Sequence, residues 1–198
     1  MSLVTGSDRP RPGVKLTYDD FVLFPDDGKR HELIDGEHFV TPSPNTKHQL
    51  VCGNLHWLLR SYLHQHPVGR VFFAPFDVVF SSFDVVEPDL LYMSHERAKQ
   101  ILTEANVQGV PELVVEIASK STRKRDETIK RRLYQRTGVA EYWVVDPAIE
   151  VVRIYRRADA GTGFSRPIEM SREAGDTLST PLLPGFSTSL DHIFDLDP

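Results

Sequence analysis

The sequence has a single cysteine, Cys52, among 198 residues, which excludes an internal disulfide and a CxxC zinc site. This scarcity is typical of a reducing compartment, so we expect a cytoplasmic protein. Long apolar runs are also missing: residues 71–80 are interrupted by Pro75 and Asp77, well short of the roughly 20 residues that cross a bilayer. No HExxH motif occurs among the eight histidines, which gives a zinc enzyme little support.

The chain lacks an excess of positive charge. Its 23 Lys and Arg residues against 28 Asp and Glu give a net charge of −5, which excludes binding of nucleic acid through the whole surface. Residues 120–136 are the exception, with eight basic side chains against two acids, Asp126 and Glu127. Any contact with a polyanion is therefore expected there.

Length and composition predict one globular domain. With 40% hydrophobic and 26% charged residues, no repeat and no low-complexity tract, the chain fits a single core of ordinary size. Residues 1–14 are rich in Pro, Gly and Arg and lack the apolar stretch of a signal peptide, so we expect a flexible lead-in. The domain then covers 15–198, with a core at about 17–157 and a Gly- and Ser-rich β extension at 158–198.

Local patterns predict an α/β fold. Thr17 has the capping position of a short helix, and Asp35-Gly36 between apolar flanks predicts a tight hairpin. Apolar residues at helical spacing predict a long helix, roughly 47–65. Other segments carry clear strand or helix patterns. They are strands at 70–74, 77–81, 85–93, 112–117, 141–146 and 150–155, a short helix at 95–102, and a helix from Ser121 or Thr122 to Arg136.

The strand-helix-strand order across residues 112–146 predicts a parallel crossover. Two acids stand within or at the end of predicted apolar strands. Asp89 follows Pro88, and Glu116 follows the apolar residues 113–115. A buried lone carboxylate costs several kcal/mol unless a cation or hydrogen-bond donors accompany it. A hard divalent cation is one solution. The alternative is that each acid ends its strand and faces water.

Several motifs occur in a fixed order along the chain. They are VEPDL at 86–90, PELVVEIASKST at 111–122, Asp126, Lys130 and Tyr134, and GVAEYWVVDP at 138–147. These motifs resemble those of the Uma-two family of restriction-endonuclease-like proteins, and the likeness runs from about residue 17 to 155. The resemblance implies an α/β restriction-endonuclease-like core of the PD-(D/E)xK superfamily, with a central mixed β-sheet flanked by helices and a peripheral C-terminal β extension. The activity it implies is Mg²⁺-dependent phosphodiester cleavage.

The resemblance also implies roles for individual acids. Asp89 matches the Asp of the PD element and Glu116 the acid of the (D/E)xK element. Together with the backbone carbonyl of Ile117 they would hold Mg²⁺ or Mn²⁺. Glu32 matches an early acid of the family and could serve a second metal or a metal-bound water. An edge-strand charge beside a hairpin is the competing interpretation of Glu32.

The sequence departs from the superfamily pattern at Ala118, which occupies the expected lysine position. The resemblance implies that the lysine has moved to the following helix as Lys130, where it would orient or deprotonate the attacking water and stabilise transition-state charge. Asp126 lies four residues earlier and is a supporting candidate. The competing interpretation is a surface ion pair between Asp126 and Lys130, worth roughly 0.2–0.5 kcal/mol.

The basic residues Arg123, Lys124 and Arg125 are candidates for nucleic-acid binding, because they precede the lysine helix. A solvated helix face is an equally good explanation. His48 could face the site from the start of the long helix, and Ser119 could contact a phosphate. Capping or solvent roles are the alternatives for both.

The leading hypothesis is a Mg²⁺-dependent endonuclease that acts on nucleic acid, with DNA as the expected substrate. It needs no membrane, and a homodimer is one hypothesis for its assembly. A second hypothesis is an inactive nuclease-fold module that binds nucleic acid or a protein partner, because a fold alone does not establish activity. A third is hydrolysis of a non-nucleic phosphoester at the same site. The sequence does not decide among the three.

Overall fold

The computed structural model describes residues 13–158 and 163–196. Nearly all of the predicted lead-in therefore lies outside the described residues. The helices are α1 (Tyr18–Phe21), α2 (Thr46–Gln65), α3 (His95–Ile101), α4 (Arg123–Arg125), a π-helical segment (Asp126–Lys130), α5 (Arg131–Thr137) and α6 (Leu190–Phe194). The strands are β1 (Arg30–Ile34), β2 (Glu37–Thr41), β3 (Gly69–Phe73), β4 (Val78–Ser81), β5 (Asp84–Val86), β6 (Leu90–Ser94), β7 (Val107–Gln108), β8 (Leu113–Ile117), β9 (Glu141–Asp146), β10 (Val151–Arg156), β11 (Ile168–Ser171), β12 (Thr177–Ser179) and β13 (Ser187–Ser189).

The largest sheet has six strands in the order β11-β10-β9-β8-β6-β3. Within this sheet, β8 and β9 pair in parallel and the other neighbouring strands are antiparallel. The chain between β8 and β9 forms the helical crossover that the sequence predicts. Side chains of the sheet alternate between its two faces, as the pleat requires. On β8, Val115 packs in the core beneath α2 and α6, whereas Val114 packs with Leu133 of α5. The mixed sheet with helices confirms the predicted α/β class.

A second sheet of five strands, in the order β2-β1-β5-β4-β7, packs beside the first. The β1–β2 hairpin turns at Asp35 and Gly36, whose φ angles of 54° and 74° lie in the left-handed region that Asp-Gly tolerates. The predicted hairpin is confirmed. Its tight turn fixes the register of β1 and thereby the position of Glu32 on that strand.

The prediction of one strand over residues 85–93 is wrong. The chain forms β5 in the five-stranded sheet and β6 in the six-stranded sheet, with Glu87, Pro88 and Asp89 between them. Proline has no N–H for a ladder and disfavours a central strand position, so the pairing breaks there. Asp89 consequently lies where the chain passes from one sheet to the other.

The helix after β8 is irregular. Within the π-helical segment the N–H of Arg131 donates to the carbonyl of Asp126, five residues back. Gly138 ends α5 with a φ of 97°, as a left-handed C-cap. The wider turn places both Asp126 and Lys130 in the protein interior rather than on the helix surface.

The C-terminal segment, predicted to be a β extension, contains three strands and also contributes residues to the hydrophobic core. Strand β11 lies at the edge of the six-stranded sheet, and β12 pairs with β13. Leu178, Leu183 and Ile193 are buried in the same cluster as the apolar face of α2. Within the described part of the chain, no helix is both long and apolar enough to cross a membrane.

Candidate active site

Asp89 is held by four donors at the junction of the two sheets. Arg30 donates from both terminal nitrogens to Oδ1, at 3.0 and 2.9 Å. The N–H of Ile117 donates to Oδ2 at 2.8 Å, and His48 Nε2 lies 3.2 Å from the same oxygen. Burial alone would raise the pKa of Asp89, but the hydrogen bond from His48 and the charge of Arg30 lower it to about 2. Asp89 is therefore an anion at neutral pH.

Glu116 closes β8 and is almost fully buried. Its Oε1 accepts hydrogen bonds from Lys130 Nζ at 2.8 Å and from the hydroxyl of Tyr134 at 2.6 Å. Burial raises the pKa of Glu116 to about 8 despite the ammonium of Lys130, and the neighbouring Asp126 and Asp89 add to the shift. The positive charge near Glu116 is therefore too small to offset the cost of burying its ionised form.

Glu32 lies on β1 behind the same lysine. Its Oε1 is 2.7 Å from Lys130 Nζ and accepts the N–H of Glu87 at 3.2 Å. Its Oε2 accepts from the Thr41 hydroxyl at 3.3 Å and lies 3.4 Å from Arg125. Burial would raise the pKa of Glu32, but Lys130 and Arg125 outweigh that effect and lower it. Glu32 is buried, so the interpretation as an exposed edge-strand charge is wrong.

Lys130 joins the two sheets through its two carboxylate partners. Its side chain is 3% exposed and contacts Glu32 and Glu116 rather than Asp126. The alternative of a surface ion pair with Asp126 is therefore wrong. Burial would lower the pKa of Lys130, but Glu116 and Glu32 reverse that effect and raise the pKa. Lys130 is a fixed cation at neutral pH.

Asp126 contributes a fourth carboxylate. It is 1% exposed, and its Oδ1 is buried without a hydrogen-bond partner among the described residues. Burial raises its pKa to about 6 in spite of the nearby Lys130. An orphaned buried oxygen of this kind needs a cation, a proton or water to satisfy it.

A cleft of about 480 Å³, here called the acid cleft, gathers most of the predicted residues. Glu32 does not line it and lies behind Lys130. The predicted residues in its wall are His48, Asp89, Glu116, Ile117, Ser119, Arg125, Asp126 and Lys130.

The three basic candidates separate in the structure. Arg125 points into the protein, where it donates to Thr41 Oγ1 and borders the acid cleft. Arg123 borders an adjoining cleft and pairs with buried Asp146 at 2.6 Å. Lys124 is exposed and lines neither cleft. The stretch is therefore not one uniform phosphate-binding face.

Sequence reasoning missed Arg30 and gave no role to Tyr134. Arg30 stands two residues before Glu32 on β1, so strand alternation puts both on one face, a signal that could have found it. Tyr134 lies four residues after Lys130, one helical turn further on, and its hydroxyl reaches the same Glu116 oxygen.

The donor set fits a hard cation. The three carboxylates of the acid cleft are oxygen donors, and one oxygen of Asp126 is orphaned. Across residues 13–158 and 163–196, no three His, Cys, Asp or Glu side chains are grouped so that they could jointly hold an ion. Mg²⁺ takes oxygen ligands, commonly one or two carboxylates together with waters, so the carboxylates of the acid cleft are donors of the right chemical type.

Comparisons with known proteins identify the fold and the family. The fold is that of the restriction-endonuclease-like class. The model of the Uma2 family, described as "putative restriction endonuclease", matches residues 18–191. The chain belongs to the Uma2 family.

A crystal structure has the same fold. It is described as "a putative nuclease belonging to DUF820" from Anabaena variabilis, and it superposes with a TM-score of 0.76. The two sequences are 18% identical, and the match covers 91% of this chain and 98% of the other. A search of curated protein sequences finds no significant match. Family and fold together support a nuclease role.

Proposed function

We propose that this protein is a Mg²⁺-dependent endonuclease that hydrolyses phosphodiester bonds in the acid cleft. The observation that carries the proposal is the meeting of Asp89, Glu116 and Lys130, far apart in sequence, around one open cleft. Asp89 and Glu116, with the backbone carbonyl of Ile117, would hold the ion. A divalent cation there supplies Lewis-acid stabilisation of phosphate charge.

Lys130 acts as an electrostatic group in this proposal. Its raised pKa argues against deprotonation of water by Lys130, because the free amine would be rare at neutral pH. A fixed ammonium can still orient the nucleophile and stabilise negative charge that develops on the phosphate. Glu32 and Tyr134 are positioning residues, because Glu32 contacts Lys130 and Tyr134 holds the Glu116 carboxylate.

Nucleic acid would enter from the cleft beside the acid cleft. This adjoining cleft is lined by Lys47, Lys120 and Arg123, and it shares His48 and Ser119 with the acid cleft. Cations along such a path suit phosphate contacts, which set register without reading sequence. We take DNA as the substrate. One cleft cuts one strand, so a double-strand break would need two copies, and the molar mass in solution with and without duplex DNA tests dimerisation.

The decisive experiment is a cleavage assay on single-stranded and duplex DNA and RNA with Mg²⁺, Mn²⁺ or EDTA. We expect cleavage with either metal, none with EDTA, and a loss of at least about 100-fold in Asp89→Asn and Glu116→Gln. Glu169→Gln, at an exposed acid of β11, is the matched control and should cleave as the wild type does. Equal activity in all variants would remove the site.

One observation favours the inactive binding module: both oxygens of Asp89 already have protein donors, from Arg30, His48 and Ile117. Calorimetry with Mn²⁺ separates the two functions. A nuclease site should bind the ion in the wild type and lose it in Asp89→Asn. If the heat of Mn²⁺ addition is the same for the wild type and for Asp89→Asn, the inactive binding module is favoured.

A further inference from the structure

A basic cleft lies beside the C-terminal half of α2, away from the acid cleft. It has a volume of about 550 Å³, and its charged and titratable lining residues are Arg60, Arg70, His56, His64 and His95. No carboxylate of the described residues lines it. Such a concentration of basic groups stands out in a chain whose net charge is −5. None of the roles proposed above uses these residues, and we call this site the arginine cleft.

Arg60 and Arg70, the two arginines of this cleft, are exposed to solvent. Across residues 13–158 and 163–196, no hydrogen bond or ion pair involves either side chain. The arginines around the acid cleft differ, because Arg30, Arg123 and Arg125 each contact a buried carboxylate. Arginine stays protonated at any physiological pH, so the arginine cleft presents two positive charges that are available to a ligand. A ligand rich in phosphate suits this charge.

Two exposed aromatic rings stand beside these arginines. The side chain of Trp57 is 67% exposed, and Arg60 follows it by three positions, which places the two side chains next to each other on one face of α2. Phe73, at the end of the edge strand β3, is 58% exposed and lines the arginine cleft itself. Unpaired nucleobases stack on such rings while cations hold the phosphates. This combination is typical of sites for single-stranded nucleic acid.

The arginine cleft follows the acid cleft along α2. Lys47 and His48, at the start of the helix, line the adjoining cleft, and His48 also lines the acid cleft. At about 1.5 Å per residue, Arg60 lies about 18 Å further along the helix than His48. An intermediate cleft joins the two sites, because it shares Asp89 with the acid cleft and Phe73 with the arginine cleft. A strand stacked as in B-DNA covers about 18 Å in about five nucleotides.

A second copy of this chain is the competing occupant of an exposed aromatic surface. In a twofold pair the same patch faces itself, so Arg60 and Arg70 of one copy would approach those of the other. No described carboxylate in the cleft offsets that repulsion. A polyanion neutralises the same charges. The charge of the cleft therefore favours nucleic acid over a dimer.

We propose that the arginine cleft, with Trp57 and Phe73 beside it, binds a single-stranded flank of the nucleic acid whose phosphodiester bond lies in the acid cleft. The contacts are to phosphates and to the faces of bases, so this site has no preference for a particular base. The intermediate cleft is lined by Asp26 and Glu87, which places the phosphate contacts at its two ends. The inference rests on the proposed function for the location of the cut bond, about five nucleotides away.

Tryptophan fluorescence reports on this surface, because the two tryptophans of the chain differ in exposure. Trp57 is exposed, whereas Trp143 is fully buried in the core. Oligo(dT) of about 20 nucleotides, longer than the site of one small domain, is titrated in EDTA so that binding is measured without cleavage. We expect the emission of Trp57 to be quenched as thymine stacks on its ring. Trp57→Phe should lose this quenching, while the anisotropy of fluorescein-labelled oligo(dT) still reports binding.

The double variant Arg60→Gln, Arg70→Gln removes the two charges. It should bind oligo(dT) about tenfold more weakly, and the slope of log affinity against log salt concentration should fall by about 1.4, or about 0.7 for each lost phosphate contact. Arg166→Gln is the matched control, because Arg166 is exposed and lines none of the four clefts described above. It should bind as the wild type does. Thermal unfolding identifies any variant that has lost its fold.

Two results would overturn the inference: a folded double variant with the affinity and salt slope of the wild type, or Trp57 emission that saturating oligo(dT) leaves unchanged. Duplex DNA that binds as tightly as oligo(dT), with the same dependence on both arginines, overturns the assignment to single strands. Emission that changes with protein concentration instead of oligo(dT) indicates a second copy as the occupant.

The proposed nuclease fails in a different way. Quenching and arginine dependence in a protein that never cleaves would keep this surface and remove the nuclease. Cleavage by a protein whose double variant binds as tightly as the wild type would keep the nuclease and remove the surface.

Discussion

Lys130 Nζ lies 2.8 Å from Glu116 Oε1, and the same nitrogen is 2.7 Å from Glu32 Oε1. One ammonium thus serves two buried carboxylates from different sheets. Arg125 lies 3.4 Å from Glu32 and helps Lys130 to lower its pKa, whereas the neighbouring Asp126 and Asp89 add to the raised pKa of Glu116. The shortage of positive charge falls on Glu116, the acid that borders the open cleft.

Glu116→Gln should stabilise the metal-free protein. The pKa of Glu116 is about 8 in the folded state against an ordinary 4.5, so the folded state holds a proton that the unfolded state releases. Below pH 4.5 both the folded and the unfolded state hold this proton, so the titration of Glu116 makes no difference between the stability of the wild type and that of Glu116→Gln. As the pH rises towards 8, the wild type loses stability relative to the variant, by at least about 1 kcal/mol.

Urea unfolding in EDTA at pH 5 and pH 8 measures this difference. The gap between Glu116→Gln and the wild type should widen with pH, while the variant is inactive in the cleavage assay. Glu169→Gln, at an exposed acid, should show no such trend. A variant that is less stable than the wild type at pH 8 would mean that Glu116 is a satisfied anion, and the charge shortage would be an incorrect interpretation.

Lys130→Met should destabilise the protein strongly. Removal of the ammonium leaves Glu32 and Glu116 buried with fewer cations, and breaking a buried pair from one side costs about 3–5 kcal/mol. Adding Glu32→Gln to this variant should recover part of the loss, because Glu32, whose pKa Lys130 lowers in the wild type, is the acid that loses its cation while charged. Denaturant unfolding of the two single variants and the double variant gives the coupling.

The control is Lys15→Met. Lys15 also contacts a carboxylate, Asp35, but both side chains are more than half exposed. An exposed pair contributes about 1 kcal/mol or less, so this variant should stay close to the wild type. If Lys130→Met unfolds at the same urea concentration as Lys15→Met, Lys130 does not hold the two sheets together.

Features fixed by local chemistry were predictable from the sequence. The Asp35-Gly36 turn, α2 and the crossover after β8 all follow from residues next to each other in the chain. The break at Pro88 also had a local signal, the missing N–H, which the apolar run around it obscured. The identity of Lys130 as the lysine of the site came from the family resemblance rather than from any local pattern.

Features fixed by tertiary contacts were not predictable. Arg30 meets Asp89 across 59 positions, and only the pairing of β1 with β5 brings them together. The π-helical segment has no sequence signature, because its extra residue is stabilised by the burial of Lys130 against acids from two sheets.

Arg125 and its neighbour Lys124 offer a contrast between a largely buried cation and an exposed one. Arg125 is 13% exposed, donates to Thr41, lies 3.4 Å from Glu32 and stacks over Phe39 at 5.6 Å. Lys124 is exposed. Arg125→Ala should therefore lower the free energy of unfolding by about 1–3 kcal/mol, and Lys124→Ala should change it by no more than about 0.5 kcal/mol.

The salt dependence of nucleic-acid affinity tests whether Lys124 contacts phosphate. An exposed lysine that contacts phosphate releases about one counterion from the nucleic acid. If Lys124 binds the strand, Lys124→Ala would therefore reduce the slope of log affinity against log salt concentration by about one. Because Lys124 lines neither cleft, we expect the slope to stay unchanged. Anisotropy titrations of oligo(dT) in EDTA across a salt series measure it. A reduced slope in Lys124→Ala would place the strand outside the clefts, over the surface of α4.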